Sequence, residues 1–110
     1  MVEQPPKEEV LHIIKEIESN PVATQRSMSQ KLGISLGKTN YLLKELIKKG
    51  IVKAKNFSNN PKKLRTINYM LTKKGIEERI ELTHHFLQRK EREYIILKDE
   101  WEKVSSINSK

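Results

Sequence analysis

The sequence predicts a mainly α fold with a minor β element: three short helices, a two-stranded hairpin and one long C-terminal helix. Three observations predict it. Apolar residues recur at spacings of three and four over four separate stretches, as on helices with one buried face. Between residues 51 and 71 the period shortens to two, as in strands. Proline, glycine, serine and threonine stand at the joints, where caps and turns need them.

Pro5-Pro6 precede a first helix from Lys7 to Ser19. Proline suits a first turn, and Glu8 and Glu9 suit the positive end of the helix dipole. Val10, Ile14 and Ile17 form the inward stripe, widened by Leu11 and Ile13. Asn20-Pro21 ends the helix, because the residue before proline avoids the helical region. His12, isolated here, reads as partly buried filler and not as a ligand.

Thr24 caps a second helix that runs to Leu32, with Met28 and Leu32 on one face. Gly33 supplies the left-handed conformation that ends it, and Ser35 caps the third helix. There Thr39, Leu42, Leu43 and Leu46, with Ile34 before them, fill the inward stripe, and Gly50 closes the helix after Lys48 and Lys49. Helix, tight turn, helix between Ser27 and Gly50 is how a helix-turn-helix looks in sequence. Its second helix normally enters the DNA major groove. Leu36, Gly37, Lys38, Asn40, Tyr41 and Lys44 are left on its outside, most of them in the N-terminal half that reaches base edges. Asn40 suits adenine and Lys38 suits guanine O6/N7.

The next segment, Ile51 to Asn56, is a short strand, and Ser58-Asn59-Asn60-Pro61 is turn chemistry. From Leu64 to Leu71 the pattern alternates again: Ile67, Tyr69 and Leu71 point one way, Thr66, Asn68 and Met70 the other. Lys62, Lys63 and Arg65 lie at or beside the tip of this hairpin. Three helices followed by a basic hairpin make a winged helix, and the tip is the wing, suited to gripping phosphate.

Thr72 caps the last helix. Its apolar positions step by four and three through Ile76, Ile80, Thr83, Leu87, then Lys90, Tyr94, Leu97, Trp101 and Val104, a seven-residue repeat with one polar interruption. A single helix of this length spans roughly 50 Å at about 1.5 Å per residue, more than a small winged domain covers. The expectation is a homodimer joined through Leu87, Tyr94, Leu97, Trp101 and Val104. Residues 1–72 then form the DNA-binding domain and 73–110 the dimerisation helix.

The charge supports a polyanion partner. Between residues 20 and 75 stand 13 Lys/Arg and one acidic residue, Glu45, whereas the rest holds 9 basic and 13 acidic residues. Duplex DNA is the obvious partner of so one-signed a segment. The chain has no cysteine, which excludes disulfides, thiolate zinc sites and cysteine catalysis. His84-His85 are adjacent on a helix, about 100° apart, and chelate one ion poorly. No nucleophile–base pair, paired carboxylates or phosphate-binding glycine loop is present, so neither an enzyme nor a cofactor is expected. No apolar run reaches membrane-spanning length and the acidic N-terminus has no signal core, so a cytoplasmic location is the default.

The runs LGISLGKTNYLLKELIKKGIVKAKNF (residues 32–57), LTKKG (71–75) and ELTHHFLQRKEREY (81–94) resemble the MarR-type winged-helix transcriptional regulators, and most closely the small subgroup associated with exopolysaccharide gene clusters. The resemblance implies a cytoplasmic dimer that binds DNA near a promoter, with exopolysaccharide genes as targets. The sequence is therefore read as a homodimeric regulator of double-stranded DNA at a pseudo-palindromic operator. Leu36, Gly37, Lys38, Asn40 and Tyr41 face bases, and Lys44, Lys48, Lys62, Lys63 and Arg65 face phosphates. Two other readings stay open at this point: a protein–protein adaptor built on the same fold, and a binder of single strands or RNA. The latter is disfavoured by the few aromatics on the basic segment.

Overall fold

The computed structural model describes residues 6–56 and 67–108. Three helices come first: α1 (Lys7–Ser19), α2 (Gln25–Leu32) and α3 (Leu36–Lys48). A hairpin of β1 (Val52–Asn56) and β2 (Ile67–Leu71) follows, then the single helix α4 (Lys73–Asn108). The chain divides into two compact units, Met1–Ile80 and Glu81–Lys110.

The first unit is built around α1 and α3. Ile13 and Ile14 of α1, Met28 of α2 and Leu42, Leu43 and Leu46 of α3 are all buried, and Thr39 is buried with them. The helical repeat of the sequence thus points inward as expected. Each of the large apolar side chains contributes about 1.5–3 kcal/mol by leaving water. His12 departs from expectation. It lies on the exposed face of α1, because the buried stripe is taken by Ile13, Ile14 and Ile17.

The inward face of α1 also carries a charge. Glu16 is 6% exposed and is matched by Lys31 of α2, whose ammonium lies 2.8 Å from its carboxylate. The amide of Asn20 donates to the same carboxylate at 3.4 Å. These hydrogen bonds hold the Glu16 carboxyl below the usual glutamate range, the Lys31 bond contributing most, although burial works the other way.

The strands pair antiparallel, with Val52 opposite Leu71, Ala54 opposite Tyr69 and Asn56 opposite Ile67. In β2 the deeply buried residue is polar: Asn68 is 5% exposed, and its amide donates to the carbonyl of Ala23 at 3.2 Å. The alternation is present, but burial follows a hydrogen bond rather than hydrophobicity. Gly75 in the first turn of α4 lies against the connection between α3 and β1: a Cβ there would come within 2.2 Å of the Ile51 carbonyl oxygen. The second unit is the remainder of α4. Its surface is stitched by ion pairs between Arg89 and Glu93 at 3.2 Å and between Lys103 and Asp99 at 3.1 Å. Beyond Leu82, which is buried, the large apolar residues from Leu87 to Ile107 stand open, Trp101 at 67% exposure.

Candidate nucleic-acid interface

The placement of α3 begins with the turn before it. Gly33 adopts φ 69°, and its backbone N–H bonds the Ser29 carbonyl, the left-handed helix ending that glycine favours. The Ile34 N–H bonds the same carbonyl at 3.2 Å, while the Ser29 hydroxyl donates to the Ile34 carbonyl at 2.9 Å. The turn is therefore tied at both backbone groups of Ile34. Thr24 caps α2 reciprocally with Ser27, a capping box. Ser35 caps α3 by accepting from the Lys38 N–H at 3.0 Å. The Gln25 side chain donates to the Leu36 carbonyl at 3.3 Å, linking the starts of the two helices.

With Thr39, Leu42, Leu43 and Leu46 turned into the core, the opposite face of α3 is open. Leu36 (43%) and Tyr41 (44%) are exposed although both are large and apolar or amphipathic. Gly37, Lys38 and Lys44 are exposed, and Asn40 is half-buried. A Cβ at Gly37 would meet nothing within 4 Å. Lys48 lies exposed in the last turn, and Lys53 and Lys55 are exposed on β1. Tyr69 on β2 is half-buried, and burial pushes its phenol above the usual tyrosine range. Leu36, Gly37, Lys38, Tyr41 and Lys44 are thus left exposed along α3, with a small group and a cap at the helix start. Lys62, Lys63 and Arg65, expected on the wing, lie outside the described residues.

One residue escaped sequence reasoning. Glu9 of α1 accepts from the Lys38 ammonium at 2.7 Å. In sequence Glu9 is an acidic residue in a first turn, sufficiently explained by the helix dipole. Nothing local signals a partner in another helix. Among the described residues no group of three or more His, Cys, Asp or Glu stands placed to hold a metal ion, and no helix is long and apolar enough to cross a membrane. His84 is exposed, while His85 is half-buried, its ring edge-on to Phe86 with centroids 5.1 Å apart.

Residues 10–53, from α1 through the first strand, match the family described as winged helix-turn-helix DNA-binding. The chain has a winged helix-turn-helix fold. No curated protein matches it in sequence. Among solved structures it is similar to the adhesin competence repressor of Streptococcus pyogenes, with a TM-score of 0.62 and 18% identity over 83% of this chain and 65% of that one. It is similar to FabT of Streptococcus pneumoniae, solved in complex with DNA, with a TM-score of 0.59 and 25% identity over 80% of this chain and 58% of that one. A MarR family transcription regulator gives a TM-score of 0.62 and 18% identity over 74% and 52%. The winged helix-turn-helix chain thus has the fold of the MarR-family regulators and spans between about half and two thirds of the length of these three. The matched stretch is described as DNA-binding.

Proposed function

We propose that this chain is a sequence-specific, double-stranded-DNA-binding transcriptional regulator that acts in the cytoplasm as a homodimer. The observation that carries the reading is the open N-terminal half of α3, on a segment where 13 cationic residues face one acidic residue. Leu36, Gly37, Lys38, Asn40 and Tyr41 face base edges in the major groove. Lys44 and Lys48 contact phosphates, and Lys62, Lys63 and Arg65 extend those contacts from the wing. FabT, solved with DNA, supports the same use of this fold here.

The second half of α4 supports the dimer. Leu87, Tyr94, Leu97, Trp101 and Val104 are more than half exposed and follow a seven-residue repeat. Left in water they forfeit about 1.5–3 kcal/mol each; a second copy recovers it. Two α3 helices held at one separation then read a pseudo-palindromic operator. The resemblance to the exopolysaccharide-associated subgroup makes promoters of such gene clusters the first operators to try. Selection of bound duplexes from a random pool, with competition by single strands, tests the reading. A half-site repeat with inverted symmetry is expected, and absence of duplex affinity at low salt overturns it in favour of an adaptor.

A further inference from the structure

We propose that Glu9 is a positioning residue for sequence reading: its carboxylate holds the Lys38 ammonium at one point of the interface so that the remaining donors meet a base edge. The inference rests on the reading of α3 as the base-reading helix, and concerns a residue outside that helix. Lys38 is the third residue of α3, within the half that reaches bases. Its side chain is 44% exposed, and its ammonium lies 2.7 Å from Glu9 Oε1. The Glu9 side chain is 27% exposed, and its second oxygen, Oε2, is buried with no hydrogen-bond partner among the described residues. Only Oε1 is therefore offered outward, and the carboxylate presents a single acceptor in a single place.

An unrestrained lysine has four rotatable bonds and serves well as a roaming phosphate contact. Such a contact carries no sequence information. Fixed by Glu9, the ammonium gives up one of its three donors and keeps two, the number that guanine O6 and N7 accept. Fixing also removes rotamer freedom before binding, which favours the one geometry over all others. Glu9 thereby weakens indiscriminate attachment, through its charge and through the restraint on Lys38, and strengthens discrimination at one base pair.

The experiment compares Glu9→Gln, Glu8→Gln and Lys38→Met in the full chain, each on the selected operator, on operators substituted at each base pair, and on random duplex. Glu8→Gln removes the same charge from the neighbouring exposed position and controls for the general field. Glu9→Gln is expected to reduce the preference at one base pair by about tenfold and to steepen the salt dependence on random duplex by up to about 0.9 in slope. Lys38→Met erases the preference at that same base pair, and adding Glu9→Gln to it changes the preference no further. If Glu9→Gln moves operator and random duplex equally, as Glu8→Gln does, Glu9 contributes only charge and the proposal is overturned. If Lys38→Met leaves every base preference intact while the duplex still binds, the proposal falls and the DNA-binding reading survives. A wild-type protein that binds no duplex removes both.

Discussion

The side-chain amide of Asn68 donates to the backbone carbonyl of Ala23 at 3.2 Å, and both residues are buried. This bond ties β2 to the segment between α1 and α2, elements 45 residues apart in the chain. Asn68→Leu leaves the Ala23 carbonyl without this donor away from water. It is expected to lower stability by about 1–3 kcal/mol, read as a lower denaturant midpoint with an unchanged slope.

Glu16 and Lys31 set an acid limit to stability. The folded state holds the Glu16 carboxyl below its ordinary value, through the Lys31 bond first. A carboxylate depressed in this way stabilises the fold above its unfolded pKa, and the contribution is lost as pH falls through the folded value. Denaturation midpoints should therefore drop below about pH 4.3, the ordinary glutamate range. In Lys31→Met the midpoint at pH 7 is lower and the loss of stability on acidification from this group is smaller.

Two glycines should respond in opposite directions. Gly37→Ala introduces a Cβ that meets nothing within 4 Å and should raise stability by about 0.5–1 kcal/mol, since glycine weakens a helix by that much. On the proposed reading it weakens DNA binding at the same time, by placing a methyl group on the reading face. Gly75→Ala places a Cβ within 2.2 Å of the Ile51 carbonyl oxygen, a backbone atom with little freedom to move. Its melting temperature should fall.

Asn40 and Lys62 should separate reading from gripping. Asn40→Ala is expected to relax preference at one base pair by about 1–3 kcal/mol. Lys62→Ala should weaken all duplexes alike and reduce the salt slope by about one. Equal behaviour of the two variants on operator and random duplex would refute the roles assigned to them.

Trp101 is the only tryptophan in the chain and stands 67% exposed within a single chain. Burial against a second copy should shift its emission to shorter wavelength as concentration rises. The double variant Leu97→Glu with Trp101→Glu should sediment as a monomer and lose operator affinity by at least tenfold. A wild-type protein that remains monomeric at micromolar concentration contradicts the proposed dimer.

Local chemistry was the most legible part of this fold. Thr24, Gly33 and Ser35 announce their caps and turn because each bond closes within a few residues. The inward face of α3 was equally readable, since helical spacing alone sorts Thr39, Leu42, Leu43 and Leu46 from Leu36, Lys38 and Tyr41. Long-range polar pairing was not. Glu16 sits on a core face because Lys31 meets it, Asn68 is buried because Ala23 offers a carbonyl, and Glu9 finds Lys38 across 29 positions. None of these partners can be inferred from periodicity, which reports only the side on which a residue lies. His12 was misplaced for a related reason: a lone histidine beside an apolar stripe carries no sign of which way it turns.

The Thr72 hydroxyl accepts from the Gly75 N–H at 3.0 Å and lies 2.5 Å from the Gly50 carbonyl and 3.1 Å from that of Ile51. One oxygen thus pins the opening turn of α4 to the residues that close α3, with the Lys74 ammonium clamping the Lys49 carbonyl at 2.9 Å beside it. On the proposed reading of α3, a rotation of that opening turn would be passed through these bonds to the residues that follow the C-terminal end of the helix. A single threonine side chain thus serves both ends of that joint.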